Sequence, residues 1–181
     1  MIKDFEQFRE VKPLNGFQPD VGRLVWIIEA ARFRLYEVLE ELEKLNTAVL
    51  DWQPEYGGNS IGTLLYHIAA IEIDWLYCEV LEKPFPPDVV AMLPYPVRDG
   101  DGRLTAVTGE SLAQHQQRLD QCRQHLHTTY QNISVEAFRT LHHFEHYDVT
   151  PEWVLHHLIQ HETEHRGQIT EVILLAQKAL G

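Results

Sequence analysis

The residues best suited to chemistry in this chain are histidines, and they are densest in the run HHLIQHETEH at 156–165. Imidazole offers metal ligation, proton transfer or a charge change near neutral pH. The chain holds 11 histidines, an excess that needs a reason. If the run is helical, each residue turns the chain by about 100°. Val154, Leu158, Ile169, Val172 and Ala176 then share an arc about 60° wide that must face a core. His161 and His165 fall in the middle of that arc, one turn apart, where leucine or valine is expected. Two imidazoles at i and i+4 can converge on one ion of the zinc or nickel type. Left unpartnered in a core, each would cost desolvation. His157 lies a turn earlier, toward the edge of the face beside Trp153, and His156 points away.

The segment His161-Glu162-Thr163-Glu164-His165 also fits H-E-x-x-H, in which the glutamate serves a zinc protease as general base. Three features argue against a protease. Few residues follow His165, which leaves little room for a further ligand on another helix. Gln168 stands where the longer form of the motif needs glycine, and no later histidine follows. Glu162 lies about 100° round the helix from His161, and no strand signal offers a sheet edge to a peptide.

A third ligand must come from another segment. His67 stands at the margin of one apolar stripe, beside Leu64 and Ile71, and His115 lies on another. Spacing alone does not choose between them. His125, His127, His142, His143 and His146 fall near helix ends or in loops, where solvated surface is the default reading.

Four long segments with helical period must position these residues. The first runs from about Asp20 to Leu45 on the stripe Val21, Leu24, Ile28, Ala31, Leu35, Val38, Leu42 and Leu45. Asp51, Pro54, Gly57 and Gly58 break the chain. A second helix starts with Asn59 or Ser60 as cap, follows Ile61, Leu64, Ile68, Ile71, Trp75 and Cys78, and stops before Pro84. From 84 to 107, five prolines and Asp99-Gly100-Asp101-Gly102 rule out a continuous helix. A third helix is expected from about Thr108, with Glu110 in its first turn, through Leu112, His115, Leu119, Cys122 and Leu126. A short amphipathic piece spans Val135 to Leu141, and the last helix begins at Thr150 with Pro151 in its first position. No strand is expected. The pattern is all-α: a four-helix bundle with a long connection between helices 2 and 3. Residues 1–181 read as one domain, with an N-terminal extension at 1–20 and the connection at 84–107.

Composition narrows the partners. The formal charge is −12, from 15 Lys+Arg against 27 Asp+Glu. That balance argues against nucleic acid, which needs a basic footprint, and against an anionic membrane surface. No apolar run approaches the roughly 20 residues that span a bilayer. The charged N-terminal stretch lacks the apolar region of a secretory signal, so a cytoplasmic location is expected. Cys78 and Cys122 lie far apart on apolar stripes and read as packing.

Two stretches carry a family resemblance. LDWQPEYGGNSIGTLLYHIAAIEIDWL and WVLHHLIQHETEHRGQI resemble the two signatures of the DinB-like (YfiT-type) metalloenzyme superfamily, in the expected order and separation. The resemblance runs from about Val21 to Leu180. It implies a four-helix bundle holding a divalent metal through one histidine of helix 2 and two of helix 4, which are His67, His161 and His165. It thereby favours His67 over His115. Arg166, Gly167 and Gln168 match the motif after the last ligand. Glu164 replaces a histidine found in many members at a position that is not a ligand. The resemblance also implies a homodimer and thiol chemistry, since characterised relatives are similar to bacillithiol- or mycothiol-dependent S-transferases, with a mycothiol-dependent maleylpyruvate isomerase in one branch.

Three neutral imidazoles would leave an ion its full charge and an open position, where water or a thiol loses its proton near neutral pH. The leading expectation is therefore a metal-dependent transferase that activates a low-molecular-weight thiol against a small-molecule substrate. A metal-dependent hydrolase is the alternative, with Glu164 or Asp74 as general base. A non-enzymatic metal-binding module of a stress response is the third, favoured if His115 closed the site as a fourth ligand.

Overall fold

The apolar stripe of the first segment becomes a helix, α1, over Pro19–Leu42. The structure, a computed structural model, describes residues 10–42 and 48–180. The expected end at Leu45 lies outside the described residues, as do residues 1–9 of the N-terminal extension. The buried face of α1 keeps Val21, Ile28, Ala31, Leu35 and Leu42 of the expected stripe and adds Gly22, Val25, Arg32 and Leu39. Val21, Val25, Ile28, Arg32, Leu35, Leu39 and Leu42 alternate steps of four and three, the spacing of a helix packed along its length. Leu24 and Val38 are only half-buried, and the stripe includes an arginine. After α1 a short helix, α2, covers Ala48–Asp51.

The second long helix, α3, spans Ile61–Trp75, and Ser60 caps it by accepting from the Thr63 amide at 3.2 Å. It does not end at Trp75. Leu76–Val80 widens into a π turn, closed by Leu81 N donating to Leu76 O at 3.0 Å. Glu82, at φ 49°, turns the chain out ahead of Pro84. The connection carries a short helix, α4, at Pro87–Met92, and an isolated bridge between Arg98 and Leu104. Side chains of α3 tie the connection down. Tyr66 donates to Tyr95 O at 2.6 Å and accepts from Tyr95 N at 2.9 Å, and Thr63 Oγ1 accepts from Val107 N at 3.1 Å.

The third long helix, α5, spans Leu112–Gln131 and starts later than expected. Ser111 makes a reciprocal capping box with Gln114, which satisfies the first amides there. A short helix, α6, covers Val135–Arg139. Two strands, β1 at His142–His143 and β2 at Asp148–Val149, pair antiparallel. The sequence reading expected no strand, and two residues are too few to show an alternation. The last helix, α7, spans Pro151–Leu180, with Thr150 Oγ1 accepting from Trp153 N at 3.1 Å.

The chain is thus mostly helical. α1 packs on α7, and α3 packs on both α5 and α7. One continuous apolar cluster joins them, built from residues such as Ile28, Leu35, Leu65, Ile73, Leu126, Leu158 and Val172. Among the described residues, no helix is long and apolar enough to cross a membrane.

Candidate metal centre

The α3–α7 contact brings three histidines from distant parts of the chain to one point. His161 Nε2 lies 3.1 Å from His67 Nε2 and 3.0 Å from His165 Nε2. One ring nitrogen of each residue lies within 4.8 Å of the other two. His67 is buried on α3, while His161 and His165 are half-buried on α7.

Protons alone serve this arrangement badly. His165 Nδ1 lies 2.8 Å from Gln168 Oε1, which accepts only if that nitrogen carries the proton. The neutral His165 ring then presents a lone pair at Nε2. One proton on His161 Nε2 can serve only one of its two neighbours. On the far side of the His67 ring, Nδ1 is buried without a hydrogen-bond partner. Ligands bound at about 2.0–2.1 Å to one tetrahedral ion stand about 3.3–3.4 Å apart, close to the 3.1 and 3.0 Å that separate His161 from His67 and from His165. The residues present therefore fit a divalent ion, and the cluster could hold one.

The electrostatics agree. Burial, then the charges of His165 and Arg98, lower the pKa of His67 to about 4. Burial, then the three neighbouring histidines, lower that of His161 to about 3. Burial also lowers His165, against the opposing effects of Gln168 and Glu164. Neutral rings at pH 7 are what ligation requires.

The other candidates are placed as follows. His115 is buried in α5 and is not among the converging nitrogens. Its Nδ1 lies 3.2 Å from Arg118 Nη1, and Arg118 in turn pairs with Glu110 at 2.7 Å. His157 sits in an aromatic stack, parallel to Trp153 at 5.1 Å and 4.6 Å from Trp75 between ring centres. The stack reaches the centre through a His157–His161 contact at 5.9 Å. Glu164 is exposed, and Asp74 is half-buried on α3. Cys78, read from its stripe as packing, is exposed, whereas Cys122 is buried.

Glu162 belongs to a different assembly, which the sequence reading missed. It is 2% exposed and accepts from Arg32 Nε at 2.7 Å and from Arg123 Nη2 at 2.8 Å. Glu72 accepts from two of Arg123's nitrogens, Nε at 3.0 Å and Nη2 at 2.9 Å, and from Arg32 Nη2 at 3.0 Å. Arg123 also reaches Glu29 at 2.8 Å. Each long helix thus contributes at least one charge to a buried network. Burial alone would raise Glu72 and Glu29, but the paired arginines lower Glu72, and His127 with Arg123 holds Glu29 at about 2. Glu162 faces the core between the helices, and the two metal-candidate histidines both lie to one side of it, half-buried. The expectation that His161 and His165 occupy the middle of the buried arc is corrected accordingly. The interruption of the α1 stripe by Arg32 was the available signal for this network.

The sequence profile of the DinB superfamily matches residues 28–169, a span that contains all three histidines. No curated protein matches the chain significantly.

Proposed function

This chain belongs to the DinB superfamily, and from that premise we propose that it is a divalent-metal-dependent enzyme that activates a low-molecular-weight thiol for transfer to an electrophile. The observation that carries the reading is the convergence of His67, His161 and His165 on one point, with Gln168 setting the His165 tautomer. In this reading the four long helices form a four-helix bundle, supported by the packing of α1 on α7 and of α3 on α5 and α7.

His67, His161 and His165 would hold a zinc- or nickel-type ion as neutral imidazoles, and such an ion would supply the charge that lowers the pKa of a thiol bound to it. The chain's own contributions are to hold the rings neutral by burial, to hold His165 by its hydrogen bond, and to shield one side of the site with Trp75, Trp153 and His157. The thiol releases its proton to solvent water, its sulfur bonds to the electrophilic carbon, and the leaving group departs with the bonding pair as an anion.

The test has two parts. Purified protein should carry one divalent ion per chain by elemental analysis, and His161→Ala should carry none. An electrophile such as a chlorodinitrobenzene should turn over only when thiol is added. Metal-free wild-type protein, or His161→Ala with full metal content, overturns the site. Turnover without thiol replaces the transferase reading with a hydrolase, and metal without any turnover replaces it with a binding module.

A further inference from the structure

Between α3 and the connection lies a recess of about 280 Å³. Ala70 and Asp74 line it from the helix, and Phe85, Leu93, Tyr95 and Val97 line it from the connection. Asp74 carries the only formal charge among its lining residues. The other buried or half-buried carboxylates of α1, α3 and α7 have partners: arginines hold Glu29, Glu72 and Glu162, and Tyr147 donates to Glu79 at 2.7 Å. Asp74 has no such partner among the described residues. Its contact is the Cys78 thiol at 3.7 Å, a weak donor. Burial raises its pKa with no cation to offset it. A half-buried carboxylate at an apolar recess leaves an acceptor open to a cation from outside the chain.

The recess and the histidine cluster share α3. His67, Ala70 and Asp74 follow at i, i+3 and i+7, which puts them on one face of α3. Two turns separate His67 from Asp74, or about 10.5 Å along the axis.

We propose that this recess is a substrate subsite of the metal centre, and that Asp74 binds a protonated amine of the thiol substrate. The ammonium site rests on the recess and Asp74; its assignment to a thiol rests on the function proposed above.

Two measurements on the full chain separate these. The first needs neither metal nor thiol: n-butylammonium and butan-1-ol are titrated against the protein by NMR, following the amides of Ala70, Asp74 and Val97. The ammonium should bind at least about tenfold more tightly, as expected for one charge-assisted contact. Asp74→Asn should remove that preference while leaving the weak binding of the alcohol. Equal binding of the two probes, or a preference that survives in Asp74→Asn, overturns the subsite. The second uses cobalt-loaded protein and compares 3-aminopropane-1-thiol with butane-1-thiol through the sulfur-to-cobalt absorption band. The amine-bearing thiol should saturate at about tenfold lower concentration in wild type and at equal concentration in Asp74→Asn. No band with either thiol overturns the thiol reading, and the ammonium titration then decides the subsite by itself.

Discussion

Replacing Glu162 with glutamine separates two meanings of the same motif. In H-E-x-x-H read as a protease signature, Glu162 is a general base, and its amide variant would fold normally and lose activity. In the structure it is 2% exposed and accepts from Arg32 Nε at 2.7 Å, Arg32 Nη2 at 3.3 Å and Arg123 Nη2 at 2.8 Å. Glutamine keeps one acceptor oxygen and turns an NH2 group toward a guanidinium that can only donate. Two buried arginines then share Glu72 and Glu29 alone. Breaking a buried ion pair from one side costs about 3–5 kcal/mol, because the remaining charge stays desolvated. For a domain of this size each kcal/mol moves Tm by about 2–4 °C, so Tm should fall by between about 6 and 20 °C. Thermal and urea melts of both proteins measure this, with metal content determined on the folded fraction at low temperature. The folded variant should still hold metal, since none of the ligand nitrogens touches Glu162. A stability change below about 0.5 kcal/mol together with lost metal or activity would refute the assignment.

Gln168→Ala should weaken metal binding by about 10–100-fold, the usual effect of removing a ligand's hydrogen-bond partner. Because Gln168 is exposed, the melting temperature of the metal-free protein should not move; competition against a chromophoric chelator gives the affinity. Gly62→Ala should destabilise by about 1–3 kcal/mol, since the added Cβ would stand 3.1 Å from His115 Nε2 and 3.2 Å from Val107 O, both fixed in the interior. Urea denaturation checks it, and an unchanged midpoint contradicts the close approach. His115 supplies a pH dependence. Burial lowers its pKa from 6.5 to about 4, against the opposing charges of Glu110 and Asp51 and with the help of Arg118. Between those values the unfolded chain binds a proton that the folded chain refuses, so stability falls as pH drops from 6.5 to 4. His115→Gln, neutral throughout, should show a shallower fall by an amount on the order of 1–3 kcal/mol; parallel slopes would count against it.

Much of the fold was legible because helix formation is local. Steps of three and four in apolar residues, Ser60 before Ile61, and Thr150 with Pro151 locate three of the long helices within a few residues. The third helix began later than expected because the Ser111–Gln114 box, with Gly109 at φ 76° just before it, outcompetes a start at Thr108. The π turn after Trp75 was not legible, since an apolar stripe alone does not say whether a helix continues in a wider winding. The i, i+4 spacing of His161 and His165 marked a candidate pair for the same local reason. Spacing left the third histidine open between His67 and His115, and the family resemblance implied His67.

The sequence by itself determined the helices, the histidine pair on one turn of the last of them, and the acid surplus that speaks against nucleic acid. Only the tertiary structure decided that His67 meets that pair while His115 goes to Arg118, that Glu162 neutralises arginines, and that Asp74 faces a recess without a cation. The physical reason is distance along the chain. Periodicity and capping depend on residues within a turn or two, whereas His67 meets His161 across 94 positions and Arg32 meets Glu162 across 130. Such pairs depend on the rotation and depth at which whole helices dock, which the summed packing of their apolar faces sets.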